Sequence, residues 1–507
     1  MGAGRRGGTR ATTLLLVLQV LFVAVARAAV GGGGGEDAGE SFLRLWSDGG
    51  EEADGQQEDV FKWDGEEDDD DDEEEGRIMM WGKGTGRPPT CRNVVNVDSF
   101  GAAGDGDADD TEAFSNAWKT ACSLENAVFL VPAGRRYKVG ASTFMGPCKP
   151  KMIIQIQGTI VAPEEPSEWD PRSPRLWLLF SGLAGARIQG GGVIDGSGSK
   201  WWANSCKINK SNPCKAAPTA VTIDSCRGVR VKGLRVQNAQ QMHLTVYRSR
   251  SVRVTGVRID APEDSPNTDG IHVAESTAVT IQNCRIGTGD DCISIVNASF
   301  NIRMKNIDCG PGHGISIGSL GKGGTFAAVE NVALDTARIS RAQNGVRIKT
   351  WQGGAGYVRG VRFSNVVVDD VDHPIVIDQF YCDAAGGAPC RSSTASAVAV
   401  SGVAYRNISG TSRRADAIRF ACSDAVPCTG IVLSDIDLRR SDDDGGGEVQ
   451  TVCNCAVGFD YGCVRPAVDC LRSSTCGGAP DDHPDHDDDK EKEAAETTPA
   501  PILHTEL

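Results

Sequence analysis

Apolar and polar residues alternate in short runs that recur through the middle of the chain. Val229-Arg-Val-Lys-Gly-Leu-Arg-Val236 and Val252-Arg-Val-Thr-Gly-Val-Arg-Ile259 are followed by Val279-Thr-Ile-Gln-Asn-Cys-Arg-Ile286 and Ile302-Arg-Met-Lys-Asn-Ile-Asp-Cys309. Further copies start at Val332, Val361 and Ile431. Each reads as a strand, a Gly or Asn corner and a second short strand, because period-two alternation marks a half-buried strand. The first six starts are separated by 23, 27, 23, 30 and 29 residues. A repeat of that length means a solenoid or a propeller, and a propeller blade needs ~40–45 residues. The runs also lack the Leu/Asn spacing of leucine-rich repeats. The pattern therefore predicts an all-β parallel β-helix, in which each coil buries one stripe against its neighbours.

Such a solenoid needs its open end covered. Asp109-Asp110-Thr111 followed by Glu112, Ala113, Phe114, Trp118 and Cys122 predicts a short amphipathic capping helix, with Asp or Thr as its N-cap. Two breaks in the period read as disulfide-closed loops: one holds Trp201-Trp202 with Cys206 and Cys214, the other runs from Cys382 to Cys390. Cys422 and Cys428 form a third local candidate.

The ends have a different character. Residues 1–28 read as a signal peptide, with Arg5, Arg6 and Arg10 before an apolar run from Leu14 to Ala26 and a small-x-small site at Ala26-Arg27-Ala28. That run is too short to span a bilayer, which takes ~20 residues, and no transmembrane segment is expected elsewhere. Residues 29–90 read as an acidic, low-complexity disordered spacer: Glu36–Glu75 holds 20 acidic and 2 basic residues and ends in ten consecutive carboxylates. Residues 480–507, with 10 acidic and 2 basic, read as a similar tail. The folded domain is thus expected over 91–479, and secretion accords with the 18 cysteines of the chain.

This division changes the meaning of the charge. The whole chain carries −16, which taken alone argues against an anionic partner. Residues 77–479, however, hold 44 basic and 38 acidic side chains, so the expected solenoid is mildly basic.

Candidate chemistry falls on successive coils. Asn267-Thr-Asp-Gly270 comes first, then Gly287-Thr-Gly-Asp-Asp-Cys292, with Asp290 21 residues after Asp269. Gly312-His-Gly314 follows, with His313 22 residues after Asp291, and Arg347-Ile-Lys349 begins 34 residues later. One coil of sequence is one step of ~4.8 Å along the axis, so these groups are expected to line one groove. Paired carboxylates can cleave a glycosidic bond, one protonating the leaving oxygen and another activating water, and inverting enzymes hold the pair ~6.5–9.5 Å apart. Crowding of three carboxylates is expected to raise the pKa of at least one. Arg347 and Lys349, alternating onto one strand face, suit a carboxylated sugar. Each motif alone is an ordinary turn or strand face; their joint coil spacing is what predicts acid/base hydrolysis of an anionic polysaccharide.

The four motifs in this order resemble those of the polygalacturonases, the family 28 glycoside hydrolases. Gly287-Thr-Gly-Asp-Asp-Cys-Ile-Ser-Ile295, Gly312-His-Gly-Ile-Ser-Ile-Gly-Ser-Leu-Gly321 and Arg347-Ile-Lys-Thr-Trp-Gln-Gly-Gly354 are similar to plant members especially, and Phe100–Gly106 resembles the family's N-terminal opening. The resemblance covers roughly 91–470. It implies a single-stranded right-handed parallel β-helix of the pectin-lyase-like type. It also implies inverting hydrolysis of α-1,4-linked galacturonic acid in pectin, by a secreted cell-wall protein. On its terms Asp290 is the general acid, Asp269 and Asp291 position and deprotonate water, and His313 holds the acid's ionisation. Arg347 and Lys349 bind a galacturonate carboxylate, with Asn267 and Tyr381 as further substrate contacts, and Cys292 pairs with Cys309. His272 departs from microbial relatives, and either touches sugar or is structural. No cofactor or metal is implied, and the expected partner is pectin, met by a monomer, with no nucleic acid. Asn209, Asn297 and Asn407 lie in glycosylation sequons. The rival readings are a solenoid that grips pectin without cutting it, and a hydrolase of rhamnogalacturonan or xylogalacturonan.

Overall fold

The corner residues decide the coil. Gly233 and Gly256 sit at φ +65° and +63°, and Asn283, Asn306 and Asn365 take the same place at φ +55°, +53° and +56°. A left-handed residue at that point bends one strand into the next, which Gly and Asn tolerate best. The asparagines also stack: Asn306 donates to Asn283 at 2.8 Å and Asn407 donates to Asn365 at 2.8 Å. The amide of sequon residue Asn407 is thus used by this ladder, and Asn297 accepts from the Ala328 N–H, whereas Asn209 is exposed on a loop.

The computed structural model describes residues 92–169, 174–382, 397–441, 447–473 and 476. The expected signal peptide (1–28), spacer (29–90) and tail (480–507) lie outside these residues, as does the expected Cys382–Cys390 loop beyond Cys382. Among the described residues, 11 strands form one sheet and 19 the other, and the paired strands run parallel, building a right-handed parallel β-helix. Along the 11-stranded sheet Val246, Val273, Ile295, Ile317, Ile348, Ile377 and Phe420 stand in register on successive coils. All are almost wholly buried. Burying each such side chain is worth about 1.5–3 kcal/mol, and because the period is two, this inward ladder forces the intervening residues outward.

Helix α1 (Thr111–Cys122) covers the N-terminal end and buries Phe114 and Trp118. Trp118 meets Phe129 and Phe144 edge-on at 5.7 and 5.2 Å. The cap differs from expectation. Asp110 occupies the N-cap position without capping, because its carboxylate accepts the N–H groups of Ala103 and Gly104 at 2.6 and 3.2 Å. Asp109 takes the Thr111 N–H instead, at 3.0 Å.

Disulfides join Cys206 to Cys214, Cys292 to Cys309 and Cys422 to Cys428. Cys382 is also disulfide-bonded. Cys122–Cys148 pins the capping helix, and Cys453–Cys470 and Cys455–Cys476 tie down the C-terminal end; no local spacing announced these three. Among the described residues no helix is long and apolar enough to cross a membrane.

Candidate active site

Five neighbouring strands of the 11-stranded sheet carry the site: β1 (Ile271–Ala274), β2 (Ile293–Ile295), β3 (Ile315–Leu320), β4 (Asn344–Trp351) and β5 (His373–Tyr381). Their outward column reads His272, Ser294, Ser316, Arg347 and Val376. The turns that feed β1, β2 and β3 hold the acids and the histidine, and they are stacked by main-chain bonds. Gly270 N–H donates to Asp291 O at 2.9 Å, His313 N–H to Asp290 O at 2.8 Å, and Cys292 N–H to Gly314 O at 2.8 Å. The Cys292–Cys309 bridge closes the coil between the acids and His313.

This stacking requires glycine beside His313. Gly314 lies at φ +91°, and a Cβ there would overlap the carbonyl oxygen of Asn344. Gly314→Ala is therefore expected to cost at least about 2 kcal/mol of stability and to displace His313. A thermal melt together with an activity assay checks this, and an unchanged melt would contradict the packing.

The three acids differ sharply in surroundings. Asp291 is fully buried and accepts three hydrogen bonds, from Ser316 Oγ at 2.8 Å, Arg347 Nη2 at 2.9 Å and Lys349 Nζ at 3.0 Å. Asp269 is buried and accepts from Ser294 Oγ at 2.6 Å. Asp290 reaches the cleft, with 18% of its side chain exposed, and its Oδ1 lies 3.0 Å from His313 Nδ1. Burial pushes the Asp290 carboxyl up, but the hydrogen bond and charge of His313 and the charge of Lys349 outweigh it and hold the group well below the usual carboxylate range. Burial likewise lowers His313, and the bond and charge of Asp290 with the charge of Asp291 outweigh it, so its pKa is raised. Crowding was expected to raise a carboxyl; in the free protein the nearby cations win at Asp290.

Arg347 and Lys349 line the cleft, and both are engaged with Asp291. In this trio two cations thus stand against one carboxylate. Two register shifts set its shape. Gly318 and Ser319 together oppose Lys349 between the Ile317–Ile348 and Leu320–Thr350 pairs. A second shift, after Lys349–Asp378, pairs Trp351 with Tyr381. Bulges of this kind re-aim side chains: the Tyr381 ring lies 5.2 Å from Lys349 Nζ and meets Trp351 edge-on at 5.5 Å. Asn267, at φ +54°, lines the same cleft, whose volume is about 380 Å³.

His272 is almost wholly covered, with Nδ1 2.7 Å from Ser294 Oγ and 3.8 Å from Asp269 Oδ2. It is linked to Asp269 through Ser294. Sequence reasoning missed Ser294 and Ser316, although the repeated Ile-Ser-Ile at 293–295 and 315–317 marks an outward polar column. It also missed His243, buried beneath Asp269 with Nδ1 3.0 Å from that residue's carbonyl oxygen; burial pushes His243 down to about 4, so it stays neutral. Lys322, 5.4 Å over the Trp351 ring, is a further cation at the cleft that no motif signalled.

Among the described residues, Asp290, Asp291 and His313 form the donor set closest to a metal site, with ligand atoms within 4.8 Å of one another. Arg347 and Lys349 already hold Asp291 and would repel a cation there. What the arrangement can do is move protons beside a bound anion: a solvent-facing acid coupled to a histidine, a second carboxylate one coil away, and fixed cations.

Relatives share this chain's sequence over most of its length. A probable polygalacturonase of Arabidopsis thaliana is 46% identical over 388 residues, spanning 76% of this chain and 86% of that protein. Polygalacturonase-2 of Solanum lycopersicum is 47% identical over 346 residues, spanning 68% and 75%. The crystal structure of an endo-xylogalacturonan hydrolase from Aspergillus tubingensis superposes with a TM-score of 0.59 at 24% identity, covering 73% of this chain and 99% of that one, a likeness of fold. The sequence model of the glycosyl hydrolases of family 28 matches residues 122–457, and the chain belongs to that family.

Proposed function

We propose that this glycoside hydrolase cuts α-1,4-galacturonosyl linkages of pectin with inversion, as a secreted protein of the plant cell wall. The observation that carries the reading is the solvent-facing Asp290–His313 pair set beside the Asp291–Arg347–Lys349 cluster. Asp290 gives its proton to the leaving oxygen as the C1–O bond breaks. Water attacks C1 from the opposite face, and its proton passes to Asp269 or Asp291. The fixed cations draw a uronate carboxylate beside the scissile bond, and Tyr381 offers a ring face to the sugar.

The low pKa of Asp290 means that in the free protein the shared proton rests on His313. Substrate brings a carboxylate and expels water, both of which disfavour a second anion, and the proton moves to Asp290. Two pH limits follow. Asp290, lowered on folding, adds stability above the ordinary carboxylate range and loses it as acid titrates through its folded value. His313, raised on folding, adds stability below its ordinary pKa and loses it as pH climbs past the raised one. The groups facing the pair are Asp291, Arg347 and Lys349. Activity is expected to fall on the alkaline side above the ordinary histidine range, and His313→Asn removes that limb. A kcat/KM profile over pH checks it; an alkaline limb unchanged in the variant would refute the coupling.

The direct test is a time course on polygalacturonate, with the anomer followed by NMR. New reducing ends first formed as the β-anomer support the reading. Polymer binding without chain shortening would favour the non-catalytic solenoid, and cleavage confined to rhamnogalacturonan or xylogalacturonan would move the substrate within the family.

A further inference from the structure

The outer face of the 19-stranded sheet carries a ladder of cations, on a different sheet from the cleft. Arg187, Arg230 and Arg253 stand in register on three successive coils, and Thr280 and Arg303 continue the column over two more. Two places along their strands, Lys232 and Lys305 widen the row. The residues between, Val231 and Met304, are almost wholly buried, so by the two-residue period these cations point outward. Of the ten outward positions on these five coils, six are Arg or Lys, four are Thr or Gln, and none is acidic. Past the corner the next strands behave otherwise: Arg235 and Arg258 share Asp260 at 3.0 and 2.8 Å, and Arg285 faces Asp308 at 3.5 Å. Neighbouring coils are ~4.8 Å apart, well inside the ~8 Å over which salt screens charge, so the stacked cations repel one another. Packing does not demand them, since Thr and Gln serve at the other four positions. Such a surface suits a polyanion whose carboxylates recur every few ångströms.

This chain carries such a polyanion. Glu66–Glu75 is an unbroken run of ten carboxylates, and the 17 residues 76–92 join it to Asn93. The strand Asn93–Asn96 belongs to the ladder's own column: it pairs with Ala127–Val131, that with Ile153–Ile156, and that with Arg187–Gln189. Arg187 therefore lies three coils, ~14 Å, from that first strand, and Arg303 four coils beyond Arg187. The joining residues reach up to ~56 Å. The run itself, up to ~33 Å long, exceeds the ~19 Å of the ladder. The C-terminal acids fit less well: their longest run is three, Asp487–Asp489, and Lys490 and Lys492 interrupt them. We infer that the cationic ladder docks Glu66–Glu75 of the same chain. A short tether gives the run a roughly millimolar effective concentration, so another polyanion reaches this face only by displacing it.

Zero-length carbodiimide coupling of the full chain, mapped by mass spectrometry, tests this, because it joins a carboxylate to an amine that touches it. The expected result at low salt is intrachain links from 66–75 to Lys232 and Lys305, falling about tenfold at 1 M salt, where charge is screened beyond ~3 Å. Absence of these links would overturn the inference. So would their replacement by links from 480–507, by links to Lys322 or Lys349 in the cleft, or by links between chains that grow with protein concentration. Binding of fluorescent deca-L-glutamate, a peptide that no glycosidase cuts, supplies a second arm. A chain with the ten acids of 66–75 changed to their amides is expected to bind it about tenfold more tightly than the unmodified chain, because the tethered competitor is gone. Adding Arg230→Gln, Arg253→Gln and Arg303→Gln is expected to remove that gain. Equal binding by the unmodified and neutralised chains would overturn the docking, as would a gain that survives the arginine substitutions. Neither readout uses pectin cleavage, so the inference stands or falls apart from the proposed function.

Discussion

Asp290→Asn is expected to lower kcat on polygalacturonate by about 10²–10⁴-fold, the range supplied by a positioned proton donor, while the protein stays folded. The amide keeps the shape of the acid and can still accept the Asp291 N–H, which the carboxylate takes at 2.8 Å. It cannot deliver a proton. With 18% of its side chain exposed, Asp290 is also the acid of the three that opens to the cleft. Reducing-end release and a thermal melt measured on one preparation separate chemistry from folding. Near-normal release by the variant would place the proton donor elsewhere.

Lys349→Met has the other large expected effect, on stability and catalysis together. The ammonium is 4% exposed and bonds a carboxylate that is fully buried. Removing one member of a buried pair leaves charge uncompensated, at a cost of 3–5 kcal/mol in typical cases. Arg347 still holds Asp291 at 2.9 Å, so the lower end, about 3 kcal/mol, is expected in denaturant unfolding. The same change removes positive charge from the cleft, and kcat/KM on polygalacturonate should fall about 100-fold, as for truncation of a buried charged partner. A stability loss below about 0.5 kcal/mol would mean that Asp291 does not depend on this cation.

Much of this was legible in the sequence. Alternating runs with a Gly or Asn corner specify a coil, because inward aliphatics must stack and a left-handed residue must turn the strand. That repeat by itself places Asp269, Asp290, Asp291, His313 and Arg347 on neighbouring coils. The amphipathic stripe of α1 was equally readable, since it depends only on local periodicity.

What the tertiary structure decided is which of these groups faces what. Local spacing put Arg347 and Lys349 on one face, but their engagement with Asp291 arises from residues 56 and 58 positions apart. The direction of the Asp290 shift, opposite to that expected from crowded acids, follows from how near His313 and Lys349 lie. Bulges opposite Lys349 and before Tyr381 have no signature in a period-two pattern. Sequence by itself determined the coil, its corners and the order of the chemical groups, because those are set by residues close in the chain. Burial, charge pairing and the reach of each side chain depend on contacts between coils, and only the assembled solenoid fixes them.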